Sequence, residues 1–212
     1  MSDVLTSIYP TTLLRRHLPD MTQANQDLAG LIAQMAATGP NMTAGTSTQG
    51  GFQTRQDLLA DDHPFARHPA LAHLKAQLIK AIQDYATMLF EQECTRPPNK
   101  VDFMLWGWGV SLTQGNSQDL HVHPSAHISG VYYVSAPPGA LDDKSTDGKI
   151  RFYDPRPRAN MNQLFTQITR HSEMPSPGDV LLFPSWLEHS VAPFQGEGER
   201  ICIAFNVRLA MA

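Results

Sequence analysis

The sequence predicts a mainly β protein of sandwich or jelly-roll type with helices at its N-terminal end. Two observations predict this. Helical periodicity is confined to residues 1–100. From residue 101 onward, short runs rich in Val, Ile, Phe, Tyr and Trp alternate with Gly, Pro, Asn and Asp, the texture of many short strands joined by turns. A third observation locates the chemistry: three of the nine histidines crowd into positions 121 to 127.

Residues 21–37 read as an amphipathic helix, because Leu28, Leu31, Ile32 and Met35 form one stripe. Asp20 or Thr22 is expected to cap its start, and Gly39-Pro40 to end it. The stretch 43–53, TAGTSTQGGFQ, is small, polar and glycine-rich, and reads as a loop, either an inert surface loop or one that closes over a substrate. Pro69 suits the first turn of a second helix, along which Leu71, Leu74, Leu78, Ile82, Tyr85 and Leu89 follow at spacings of three and four. That helix is expected to end near Cys94, before Pro97-Pro98.

Strands are predicted near 101–112, 119–123, 128–135, 149–154, 166–171, 179–184, 189–193 and 200–209. Helices first and strands second place the helices as a buttress on one outer face. Residues 1–100 are thus expected to form a helical buttress and loop, and residues 101–212 the β core of the same domain.

Composition narrows the function. The 212 residues are 42% apolar and 17% charged, a globular balance. With 16 basic and 20 acidic residues and no basic cluster, nucleic acid is not expected as a partner. No uninterrupted apolar stretch approaches the ~20 residues of a membrane span. Cys94 and Cys202 form no C-x-x-C pair, which excludes a thiolate zinc site and a disulfide framework. The N-terminus lacks a charged-then-apolar secretory layout, so a cytoplasmic enzyme is expected.

In the segment LHVHPSAHISGVYYV, residues two apart on a strand point to one side, so His121 and His123 project together as a two-point chelate. Imidazole suits iron, zinc, copper and nickel. A third ligand should come from another strand, and His189, after the Pro184-Ser185 turn, is the candidate. Surface histidines alone could also give this pattern. His127 and His171 are expected to make local hydrogen bonds or face solvent, and His17, His63, His68 and His73 to be structural.

Arg200 lies eleven residues beyond His189 and opens RICIAFNVR. Alternation puts Arg200, Cys202, Ala204 and Asn206 on one face and the apolar Ile201, Ile203 and Phe205 on the other. An inward arginine needs an anion. Either a ligand carboxylate or a protein acid such as Asp179 or Glu188 could supply it. Met104, Trp106 and Trp108 share one strand face and could line a cavity or pack a core.

The combination HVHP…SGVYYV, PGDVLLFPSWLEH and RICIAFN resembles the 2-oxoglutarate/Fe(II)-dependent oxygenases, and within them a poorly characterised bacterial and phage group. The likeness covers roughly residues 100 to 208, with GGFQTRQDLL similar to that group's N-terminal half. It implies a double-stranded β-helix, a cupin-like jelly-roll barrel, and an oxygenase that takes Fe(II), 2-oxoglutarate, O2 and an unidentified substrate. His121 and His189 match the metal histidines, and no catalytic residue is implied beyond the metal ligands. Arg200 matches the group holding the far carboxylate of 2-oxoglutarate, Tyr133 a tyrosine that assists it, and Asn206 a cosubstrate-side residue. Asn116 is a further candidate for the cosubstrate.

Position 123 departs from the family pattern, being histidine where a carboxylate is usual. Either three histidines hold the metal, or an acid such as Asp119 or Asp154 completes the set. Two other functions fit three histidines in a cupin-like barrel: a dioxygenase that uses no 2-oxoglutarate, and a metal-binding module that is not an enzyme.

Overall fold

The computed structural model describes residues 4, 8–93, 101–136, 148–157, 170–174 and 176–210. The elements run β1 (Leu14–His17), α1 (Thr22–Thr38), β2 (Thr48–Gln49), β3 (Phe52–Gln53), α2 (Pro69–Glu93), β4 (Asp102–Leu112), β5 (Ser117–His121), β6 (Ile128–Ser135), β7 (Ile150–Tyr153), β8 (Arg170–Glu173), β9 (Asp179–Pro184), β10 (His189–Val191) and β11 (Arg200–Ala210). Every strand pair is antiparallel. The six-stranded sheet has the order β1-β9-β6-β11-β4-β3, and the five-stranded sheet the order β2-β5-β10-β7-β8. The two sheets keep separate edges and do not join into a closed barrel.

The long strand β11 organises the larger sheet. It pairs with β4 from Arg200↔Leu112 to Ala210↔Asp102, and with β6 on its other side. Its alternation separates two cores, as the sequence predicts. Ile201, Ile203, Phe205 and Val207 join the core shared with the helices, where Leu74, Leu78 and Ile82 of α2 and Leu28 and Ile32 of α1 are buried. Cys202 and Ala204 join the core between the sheets, with Val131 and Tyr133 of β6 and Ile150 and Phe152 of β7. The helices therefore buttress the outer face of the larger sheet. Tyr132 reinforces this by donating its hydroxyl to Asn25 Oδ1 at 2.6 Å.

Several details differ from the sequence reading. Helix α1 has Met21 at its N-cap with no side-chain cap, so neither Asp20 nor Thr22 takes that role; Gly39 ends the helix as expected. Strand β5 stops at His121, and β10 at Val191, each two residues short of the prediction. The predicted strand at 166–171 is seen as β8 at 170–173, its earlier part lying outside the described residues. The predicted end of α2 near Cys94 also falls outside them, the helix running to Glu93.

The stretch 43–53 contains two strands rather than loop alone. Gly50 and Gly51, with φ of 75° and 68°, carry the chain from β2 in one sheet to β3 in the other. A Cβ on Gly50 would strike the Asn116 carboxamide and one on Gly51 the Ser111 carbonyl, so glycine is required there for conformation and space. Strand β1 was also unread. It lies at the sheet edge, where Arg15 pairs with Asp179 at 2.7 Å and Glu173 at 3.0 Å. Among the described residues no helix is long and apolar enough to cross a membrane.

Candidate metal and cosubstrate site

Strands β5 and β10 lie side by side with His121 directly opposite His189. Their rings are 4.2 Å apart between centroids. His123 sits two residues beyond the end of β5, where its backbone N–H donates to the Ser185 carbonyl at 3.0 Å. This anchor swings its ring to 5.1 Å from that of His121 and 5.2 Å from that of His189. The shared strand face expected of His121 and His123 is thus replaced by a turn, with the same convergence. One nitrogen from each ring falls within 4.8 Å of the others. Ligands adjacent on one ion with ~2.1 Å bonds sit about 3 Å apart, so small ring rotations would close the set around a metal.

The three rings are held neutral. Burial pushes His189 down to about 3, and repulsion from His121 adds to this against the pull of the Leu187 carbonyl. Burial, then His121, pushes His123 down to about 4. His121 is also lowered, mainly by burial. Neutral imidazole is the form that binds metals. Neither alternative acid joins the cluster. Asp119 Oδ2 accepts from Gln49 Nε2 at 2.6 Å, and Asp154 is held by Arg156 at 2.7 Å.

The histidines open into a cavity of about 270 Å³ whose wall also includes Arg200, Cys202, Ala204 and Trp108. Arg200 is only 1% exposed. Its Nε donates to the Gly148 carbonyl at 3.1 Å, and its guanidinium lies 5.2 Å from the Tyr133 ring centroid. Among the described residues no carboxylate pairs with it, since Asp179 is engaged by Arg15 and His17. The Tyr133 hydroxyl is fully buried and has no hydrogen-bond partner among the described residues. Burial, opposed by Arg200, raises its pKa far above the usual phenol value. A buried cation without a counter-anion and a buried donor without an acceptor, both among the described residues, are left together. A ligand carboxylate would satisfy both.

Tyr133 does not itself line the cavity wall but lies against Arg200, which does; the remaining candidates lie elsewhere. Asn206 is buried on β11, but its side chain meets Ser129 and His123 rather than the cavity wall. Asn116 braces the β4–β5 turn, accepting from the Thr113 N–H and hydroxyl at 2.9 and 2.8 Å, and does not line the cavity. Met104 is 64% exposed, so of the expected aromatic-and-methionine face only Trp108 lines the wall. Both His127 and His171 are exposed; His171 makes a local bond to Glu173, whereas His127 accepts from the Leu209 N–H, 82 residues away.

The sequence reading missed the polar wall. Gln53 and Gln118 line the cavity. Between them Thr48 accepts from Gln118 Nε2 at 3.2 Å and donates to Gln53 Oε1 at 2.8 Å. The sequence offered only a run of small polar residues before Gly50, which includes Thr48 but neither Gln53 nor Gln118.

Comparison with known proteins agrees with this geometry. Residues 107–206 match the family described as "Putative 2OG-Fe(II) oxygenase". That match spans 100 of the 212 residues, just under half of the chain. Solved structures of low identity share its fold. A prolyl-4-hydroxylase of Pseudomonas putida is 15% identical with a TM-score of 0.64, over 93% of this chain and 92% of that one. HygX of Streptomyces hygroscopicus, with nickel and 2-oxoglutarate bound, is 15% identical with a TM-score of 0.61, over 93% and 82%. The viral collagen prolyl hydroxylase of Paramecium bursaria Chlorella virus-1, in complex with 2-oxoglutarate, is 12% identical with a TM-score of 0.56, over 94% and 96%. No curated protein sequence matches the chain. The two facing sheets are therefore a double-stranded β-helix, the fold these structures share.

Proposed function

We propose that this chain is a 2-oxoglutarate/Fe(II)-dependent oxygenase that holds Fe(II) on His121, His123 and His189 and seats the far carboxylate of 2-oxoglutarate against Arg200 and Tyr133. The observation that carries the reading is the pairing, in one cavity, of three neutral imidazoles with a buried guanidinium that has no protein carboxylate among the described residues. Iron with 2-oxoglutarate supplies, when bound, the oxidising power drawn from O2 that hydroxylates a C–H bond.

The residues of this chain perform the other tasks. His121, His123 and His189 would occupy one face of the ion and leave positions open for cosubstrate and O2. Arg200 would fix the cosubstrate's length and direction through a bidentate, charge-assisted pair. Tyr133 would donate its otherwise unmatched hydroxyl to the same carboxylate. Trp108, its ring 5.8 Å from that of His123 and tilted 52° to it, and the apolar residues Val131, Ile150 and Val191 would keep bulk water from the metal. A free, buried Cys202 beside Arg200 suits a reducing compartment, and the reading places the enzyme in the cytoplasm.

An anaerobic titration of the Fe(II) protein with 2-oxoglutarate tests the proposal. A visible charge-transfer band is expected, with succinate formed once O2 is admitted. The third imidazole in place of a carboxylate favours one rival, a dioxygenase acting without 2-oxoglutarate. Oxygen consumption that is indifferent to 2-oxoglutarate, with no band, would establish that rival instead.

A further inference from the structure

The three imidazoles are not equivalent. His121 Nδ1 faces the Asp119 carbonyl at 2.6 Å, and His189 Nδ1 faces the Leu187 carbonyl at 2.8 Å. A carbonyl can only accept, so both rings carry their proton on Nδ1 and keep the Nε2 lone pair free for an ion. His123 Nδ1 instead lies 3.5 Å from Asn206 Nδ2. A carboxamide N–H can only donate, so in this arrangement His123 Nδ1 accepts and the proton sits on Nε2. A protonated nitrogen has no lone pair to offer a metal.

A half-turn of the Asn206 carboxamide about its last bond exchanges nitrogen for oxygen without changing its shape. Its other contact tolerates the exchange. The Ser129 hydroxyl, which donates to Asn206 Oδ1 at 2.8 Å, could equally accept from Nδ2. Ser129 and Asn206 are paired across β6 and β11 and are 1% and 5% exposed, so little water competes for these bonds.

We propose that Asn206 is a positioning residue that sets which nitrogen of His123 carries the proton, and that its carboxamide oxygen turns to His123 when the ion binds. The inference rests on the reading of His123 as a metal ligand. Two ligands are then fixed by backbone carbonyls, and the third is conditional on a side chain. Accepting the Nδ1 proton would also strengthen His123 as a ligand, as partners of metal-bound histidines do.

Zn(II), which is diamagnetic, serves as the probe. Long-range 1H–15N correlations of the imidazoles read the tautomers, and competition with a chelating dye reads the affinity. In metal-free protein His121 and His189 are expected as Nδ1–H and His123 as Nε2–H; with Zn(II) bound, His123 is expected as Nδ1–H. Asn206→Leu should weaken Zn(II) binding about ten- to a hundredfold. Asn206→Asp can only accept, so it should hold His123 as Nδ1–H even without metal and keep affinity at or above that of the unaltered protein. The Asp variant alone decides the matter if the Leu variant does not fold. The inference is overturned if His123 stays Nε2–H in the Zn(II) form, or if the Leu variant binds Zn(II) like the unaltered protein. Should His123→Ala also bind Zn(II) unchanged, the reading of His123 as a ligand fails with it. If His123→Ala loses the metal while the Asn206 variants do not, only the inference about Asn206 fails.

Discussion

The guanidinium of Arg200 lies over the ring of Tyr133, 5.2 Å from its centroid, while the hydroxyl of the same tyrosine has no hydrogen-bond partner among the described residues. Removing that hydroxyl separates its two possible roles. Tyr133→Phe should leave the metal-free protein as stable as before, or slightly more so, because a buried donor without an acceptor contributes nothing to the fold. It should weaken 2-oxoglutarate binding about three- to tenfold, the worth of a hydrogen bond of ~1 kcal/mol. Thermal melts and the anaerobic titration measure the two effects.

Arg200→Ala should act more strongly and in the same direction. A charge-assisted bond is worth about 1.5–3 kcal/mol, so 2-oxoglutarate affinity should fall roughly ten- to a hundredfold or more. Iron content should stay the same, since Arg200 stands on the opposite sheet from His121 and His189. Elemental analysis beside the titration checks both; loss of iron would mean that Arg200 supports the metal.

The buried histidines give the metal-free protein an acid-labile site. In the unfolded chain each titrates near 6.5, whereas in the folded protein His123 is held down to about 4 and His189 to about 3. Between these values the unfolded chain binds more protons, so folding stability rises with pH. The full contribution is present above about pH 6.5 and is lost as pH falls toward 4 and then 3. Urea melts of metal-free protein from pH 7.5 to pH 4.5 should show midpoints falling with pH, and His189→Gln should flatten the slope; equal slopes would contradict the burial of this ring.

Gly130 tests the packing behind the site. It lies on β6 between β9 and β11, and a Cβ there would strike the Phe205 ring and come within 2.8 Å of Leu182 Cδ2. Gly130→Ala should destabilise the protein by about 1–3 kcal/mol, the usual cost of overpacking. Chemical denaturation measures it, and an unchanged midpoint would show that the Phe205 ring moves aside freely.

Legibility in the sequence followed the strength of the local pattern. The runs at 128–135 and 179–184 coincide with β6 and β9, and RICIAFNVR gave both faces of β11, because long alternation leaves one register that buries the apolar set. Strands β2 and β3 have two residues each, too few to alternate, and exist through pairing with β5 and β4. The charged β1 is held by Asp179, a partner 164 residues away from Arg15 that no local pattern can show. His121 and His189 were legible from spacing and turn chemistry. The bend that brings His123 to them depends on the Ser185 carbonyl, and the turn-bracing role of Asn116 on Thr113 and Gly50, both matters of tertiary contact.

The division of labour between the sheets has a mechanical consequence. His121 and His189 belong to the five-stranded sheet, whereas Arg200 and Tyr133 belong to the six-stranded one. On the proposed reading, a dicarboxylate anchored at both ends would be a strut across the sandwich, tying two layers that otherwise meet through side-chain packing. Metal alone would stiffen one leaf; cosubstrate would couple both, so occupancy by the small molecule and cohesion of the whole fold rise together.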